Sequence, residues 1–183
     1  MSALAQPKGY TLVEMLVALT VGGVLMAITV PSMTGLLNTQ KSTSTVNALF
    51  TSLNLARSEA IKRNARAVMC KTADGVACTT QGGWEQGWLV FHDANNNAVL
   101  DPGEQVVFQQ GPVSNGMRLT GNMPVANYVS YSASGTAKLT SGAFQAGTFT
   151  LCPSSASDTD VRKIVLSGTG RARAQKGSVT DCS

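Results

Sequence analysis

One stretch limits what this chain can become more than any other. From Tyr10 to Val30 it runs for 21 residues with a single charge, Glu14. As a helix, such a run is long enough to cross a hydrocarbon core of about 30 Å. The acid near its start is the sharper constraint, because an ionised carboxylate in that setting costs about 3 kcal/mol or more unless a cation meets it. An anchor that stayed alone would gain nothing from Glu14, so a cationic partner is expected. A cleaved secretory signal fits poorly: Lys8 is the only charge ahead of the run, and no small-residue cleavage site follows Pro31.

Beyond the run the chain has room for one soluble domain on a stalk. Pro31 removes a helical hydrogen bond and crowds the preceding turn, so the helix should kink near Ala27 to Val30, a region that Gly22 and Gly23 also loosen. Polarity then rises, but Val46, Leu49, Phe50, Leu53, Ala56 and Ala60 recur at three- and four-residue steps. That stripe marks an amphipathic helix that needs a sheet to cover it. A helix from Tyr10 to about Asn64 is greasy all round in its first half and one-sided in its second. Strands are expected over 67–70, 87–91, 105–108, 128–131, 148–151 and 163–166, separated by clusters of Gly, Asn, Asp, Pro and Ser. Residues 154–160 are polar enough for a mobile loop. The fold class is therefore α+β, one long N-terminal helix packed on an antiparallel β-sheet or β-sandwich.

Charge is segregated along the chain. Arg57, Lys62, Arg63, Arg66 and Lys71 form one basic block, and Arg162, Lys163, Arg171, Arg173 and Lys176 a second; Asp74, Glu85, Asp93, Asp101 and Glu104 lie between them with no Lys or Arg interspersed. The four cysteines, at 70, 78, 152 and 182, all follow the apolar run. An even count beyond a membrane favours disulfides, with Cys70–Cys78 closing a small loop and Cys152–Cys182 tying down the tail. Zinc is disfavoured, since no Cys-x-x-Cys occurs and His92 is the sole histidine.

The segment Lys8-Gly9-Tyr10-Thr11-Leu12-Val13-Glu14 resembles the class III leader of type IV pilins and pseudopilins. That resemblance implies a prepilin peptidase that cuts after Gly9 and methylates the new amino terminus on Tyr10, where the family usually has phenylalanine. It also implies that Glu14 pairs with the amino terminus of a neighbouring subunit during assembly. Further on, 53–63, the 87–91 strand with Asp93, the run Asp101-Pro102-Gly103-Glu104, and Gly168-Thr169-Gly170-Arg171-Ala172-Arg173 are similar to the GspH/FimT family of minor pilins and pseudopilins. The resemblance implies a type IV pilin-like fold, with a leader at 1–9, a transmembrane and assembly helix at 10–33, an amphipathic helix at 34–66 and a periplasmic β domain at 67–183. It implies a subunit of the bacterial inner membrane, single-pass, at or near the tip of a type IV pilus or a type II secretion pseudopilus. Its partners would be other major and minor pilins, the peptidase and the membrane, with no cofactor and no small-molecule substrate.

Two further stretches bear on chemistry. Residues 93–104 resemble a twelve-residue calcium loop, with Asp93, Asn95, Asn97, Asp101 and Glu104 at ligand places. Ala98, however, stands where such loops need glycine, so a polar hairpin turn is the favoured reading. In the tail, an extended strand would project Arg171 and Arg173 together, about 7 Å apart, with the alanines facing inward. Lys163 and Lys176 could extend that patch toward phosphates. The Gly-Arg-x-Arg pattern is similar to one implicated in DNA binding by family members that serve natural transformation; binding of this kind is salt-sensitive and blind to base identity. The competing reading is a solvated edge strand that arginine protects from aggregation. No Gly-x-Ser-x-Gly, phosphate-binding loop or His-Glu-x-x-His is present, and no enzyme is expected.

Overall fold

The structure is a computed structural model that describes residues 9–113, 116–153 and 161–182; the side chains of 28–35, 179 and 181 are outside the described ones. The leader ahead of Gly9 and the loop expected at 154–160 therefore lie outside the described residues. Helix α1 runs Leu12–Arg63. The kink expected at Pro31 falls among the side chains that are not described, within backbone that is helical throughout. The chain divides into two compact units, Met1–Asn38 and Thr39–Ser183.

In the first unit the helix opens on a capping box. Thr11 Oγ1 accepts the Glu14 N–H at 3.2 Å, and Glu14 Oε2 accepts the Thr11 N–H at 3.4 Å, so two backbone donors of the first turn are satisfied reciprocally. Tyr10, Leu12, Val13, Met15, Leu16, Val17, Leu19, Val21, Val24, Leu25 and Met26 are all exposed. Among the described residues, no helix is long and apolar enough to cross a membrane.

The second unit is built on the one-sided stripe. Val46, Leu49, Leu53, Ala56 and Ala60 are buried, with Phe50 packed beside them. The helix ends where Asn64 takes φ 50°, a left-handed residue that lets the Ala65 N–H reach the Ala60 carbonyl. Two antiparallel sheets follow. The first has the order β3-β2-β1-β5, from β1 (Ala67–Lys71), β2 (Trp88–His92), β3 (Val106–Gln110) and β5 (Tyr128–Tyr131). The second has the order β4-β6-β7-β8, from β4 (Met117–Gly121), β6 (Gly147–Pro153), β7 (Arg162–Leu166) and β8 (Ala172–Lys176).

The central strands of the first sheet are buried on both faces, which explains their continuous apolar runs. Ala67, Met69, Trp88 and Val90 join the main core with the helix stripe. Val68, Cys70, Leu89 and Phe91 point the other way, into a second small core completed by Cys78, Ala98 and Leu100. The loops after β1 and β2 therefore roof the outer face of this sheet. Trp84, in a 3-10 turn (Trp84–Gln86), links the two sheets: its Nε1 donates to the Val125 carbonyl at 3.0 Å and its ring meets Phe149 edge-on, 5.2 Å between centroids. The second sheet is one-sided, with Leu119, Phe149, Leu151, Ile164 and Leu166 inward. Both disulfides are formed, Cys70–Cys78 and Cys152–Cys182, with Cα separations of 5.7 and 5.8 Å.

Candidate functional site

Three regions carry residues singled out by the sequence. The first is the 93–104 loop, whose oxygens are occupied by the chain itself. Asp93 Oδ1 and Oδ2 accept the N–H groups of Asn97 and Ala98, at 3.0 and 2.9 Å. Glu104 accepts from the Ala94 and Asp101 backbone, at 2.7 and 3.1 Å, and Asp101 Oδ2 accepts from the side chains of Asn95 and Asn97, both at 2.7 Å. Those two amides hold the Asp101 carboxyl below its ordinary value. Ala98, where a glycine was expected for a left-handed turn, adopts that turn as alanine, at φ 59°. Among the described residues no three of His, Cys, Asp and Glu gather as a metal-holding group.

The second region closes the helix against β2 and β3. Glu59 Oε2 lies 3.2 Å from His92 Nε2 and 3.3 Å from Arg63 Nε, and Arg63 also donates to Gln105 Oε1 at 2.7 Å. Burial pushes the Glu59 carboxyl up. The His92 hydrogen bond and the charges of Lys62, Arg63 and His92 outweigh it and hold the group below its ordinary value. The i,i+4 spacing of Glu59 and Arg63 was readable in the sequence; the role of His92 was not. Elsewhere in the first basic block Lys71 is buried and donates to the Gly82 carbonyl at 2.7 Å. Desolvation lowers its pKa, and the Glu85 charge partly restores it.

The third region is the β7–β8 hairpin. Its turn is tightly built: the Ser167 N–H donates to the Arg171 carbonyl at 2.9 Å, and Gly170 N–H to the Ser167 carbonyl at 2.8 Å. Gly170 takes φ +81°, and a Cβ there would lie 2.1 Å from the Gly135 carbonyl oxygen, so only glycine fits. Its own carbonyl accepts from Arg57 Nη1 at 3.3 Å. Arg57 thus fixes the turn to the helix, although it belongs to the other basic block. Beside it the Tyr131 hydroxyl and Arg57 Nε are buried without a hydrogen-bond partner among the described residues; burial raises the phenol's pKa against the pull of the Arg57 charge.

The hairpin register redraws the expected basic patch. Val165 pairs with Arg173 and Lys163 with Gln175, so Arg173 and Lys163 share the outer face, while Lys176, paired with Arg162, alternates to the other face. Lys176 is therefore not part of the same patch. Arg171 precedes the strand and is exposed, as is Arg173; of the alanines expected inward, Ala172 is half-buried against the core but Ala174 is exposed. The inward parity runs off the end of the core before it reaches Ala174.

A long helix whose second half underlies two antiparallel sheets defines a type IV pilin-like subunit. Over residues 45–170, more than half of its length, the sequence matches the family described as type II transport protein GspH, and the chain belongs to that family. Residues 5–30 match the prokaryotic N-terminal methylation motif. The pilin-like protein PilA1 of Thermus thermophilus is 35% identical over 98 residues, 54% of this chain and 56% of that protein, so the chain spans about half the length of that relative. The fold is similar to the type IV minor pilin FimU of Pseudomonas aeruginosa, with a TM-score of 0.53 at 18% identity over 78% of this chain and 92% of FimU. It is also similar to the minor pseudopilin EpsH of the Vibrio cholerae type 2 secretion system, with a TM-score of 0.51 at 12% identity, covering 74% and 97% of the two chains. At these identities the likeness is one of fold alone.

Proposed function

We propose that this chain is a minor pilin or pseudopilin, made as a prepilin, cut after Gly9, methylated on Tyr10 and held in the inner membrane by residues 10–33, with its β domain in the periplasm. The observation that carries the reading is the methylation motif over residues 5–30, on a helix whose described side chains from Leu12 to Met26 include many exposed apolar ones. Such a surface has no use in water and is suited to lipid or to a bundle of like helices. Cleavage frees an amine near Glu14, and assembly with other pilins gives each acid a cation. Gly9→Ala tests this: the variant should keep its leader and gain no methyl group by mass spectrometry, and a full-size product that still assembled would sink the proposal.

A second role, capture of DNA through Arg171 and Arg173 with Lys163, is favoured by one observation. Both arginines are exposed, Arg171 on a turn fixed by Gly170 and Arg57 and Arg173 two residues on in β8, and among the described residues neither side chain has a partner. Two exposed guanidiniums suit phosphates. Arg171→Ala with Arg173→Ala should weaken binding of duplex DNA at low salt and flatten its salt dependence. Unchanged affinity would leave the alternative, a pseudopilus subunit that serves secretion with no DNA role.

A further inference from the structure

The sequence places no aromatic residue near the arginine tail, but the fold does. Phe144 is 69% exposed, a large ring left open on the β domain. It is held in place rather than dangling: Lys138 and Phe144 form a β-bridge, Leu139 N–H donates to the Ala143 carbonyl, and Gln145 N–H to the Ala137 carbonyl, both at 2.9 Å. The ring stands beside the β7–β8 turn, where a Cβ on Gly168 would come within 3.1 Å of Phe144 Cβ. Ser167, the neighbour of Gly168, is hydrogen-bonded to Arg171 across that turn. Lys138 Nζ lies 5.8 Å from the ring centroid, a cation over the aromatic face.

An exposed ring with an ammonium over it therefore stands beside the turn that carries Arg171 and leads to Arg173 in β8. We infer that Phe144, with Lys138, is a stacking platform for single-stranded nucleic acid, continuous with the phosphate contacts of Arg171 and Arg173. This rests on the nucleic-acid reading above and names its substrate class. A duplex keeps its bases inside, where a surface ring cannot reach them; an unpaired strand offers the ring a base face and the cations its phosphates. Every base has such a face, so the platform adds affinity without adding sequence preference.

The test compares three probes on the full chain in detergent micelles at low salt: an oligo-dT strand, an abasic strand of equal length and charge, and a duplex. The parent should bind oligo-dT more tightly than the abasic strand. Phe144→Ala should lose about tenfold of its oligo-dT affinity, the scale of one stacked base, falling to the abasic level with duplex binding unchanged. Phe144→Trp should keep the preference, and oligo-dT but not the abasic strand should quench its added fluorescence. Equal binding of the two strands by the parent, or oligo-dT affinity untouched by Phe144→Ala while Arg171→Ala with Arg173→Ala weakens all three probes, overturns the platform and spares the arginine reading. No binding of any probe overturns both.

Discussion

The two sheets differ in how the β5 and β8 edges end and in how their outer faces are covered. In the first sheet β1 and β2 are buried on both sides, and the free side of β5 is closed by the 137–145 segment. There Gln145 Oε1 accepts the Ser130 N–H at 2.9 Å, and its Nε2 donates to the Pro124 and Tyr128 carbonyls at 2.6 and 2.8 Å. In the second sheet the outer face is covered in part, where the disulfide holds Cys182 over the buried Cys152, and among the described residues β8 ends it as an edge strand, almost wholly exposed. The difference teaches where a pilin-like subunit keeps its stability and where it can vary its surface. The first sheet packs on both faces, whereas the second packs its inner face into the main core and carries the exposed Arg173 on its edge strand. An edge so exposed is usually guarded by charge against strand-to-strand pairing, and Arg173 and Lys176 supply it here.

The largest effect that could break this contrast is in the roofed sheet. Trp88 is fully buried, and its Nε1 donates to Ser52 Oγ at 2.8 Å, joining β2 to the helix. Trp88→Ala should cost about 3–5 kcal/mol, through lost buried area and the cavity left behind. Arg173→Ala should change stability by less than about 0.5 kcal/mol. Denaturant unfolding monitored by circular dichroism compares the two, and similar losses would mean that the β8 edge is structural after all.

Next in size is the clamp at Glu59. Glu59→Gln should cost about 1.5 kcal/mol or more at neutral pH, the scale of a hydrogen bond between charged groups. Its pH signature is more specific. The folded carboxyl titrates below its ordinary value near 4.5, so its contribution is complete above that value and is lost as the pH falls through the lower, folded one. Thermal unfolding from pH 6 downward should show the parent losing an increment that the Gln variant has already lost, and parallel curves would rule out the clamp.

The apolar and periodic parts of this fold were legible in advance. Val46 to Ala60 announce the buried helix face, and the strands expected over 67–70, 87–91 and 163–166 stand out because their central residues are apolar or β-branched. β4 did not stand out, since Arg118 and Gly121 interrupt its run, and β8 was legible only as an extended tail, because Ala172–Lys176 carries three polar side chains and buries almost nothing. The Thr11-x-x-Glu14 capping box is readable from its spacing. The Gln145 clip, the Arg57 contact with Gly170 and the approach of Phe144 to Gly168 join positions far apart in the chain, and no local pattern carries them.

The smallest effect tests the roof itself. Ala98 belongs to the small core above β1 and β2, yet it sits at φ 59°, a conformation that costs a residue with a Cβ about 1–2 kcal/mol. Ala98→Gly relieves that strain and removes one methyl that is 7% exposed, worth about 0.8 kcal/mol. The two nearly cancel, so the glycine variant should unfold within about 1 kcal/mol of the parent. Ala98→Val adds apolar area but puts a β-branched residue at positive φ, so it should be clearly less stable than the glycine variant. If valine proved the more stable of the two, packing against Leu89 and Phe91 would outweigh the backbone, and the roof would be a second true core rather than a loop folded down by its own hydrogen bonds.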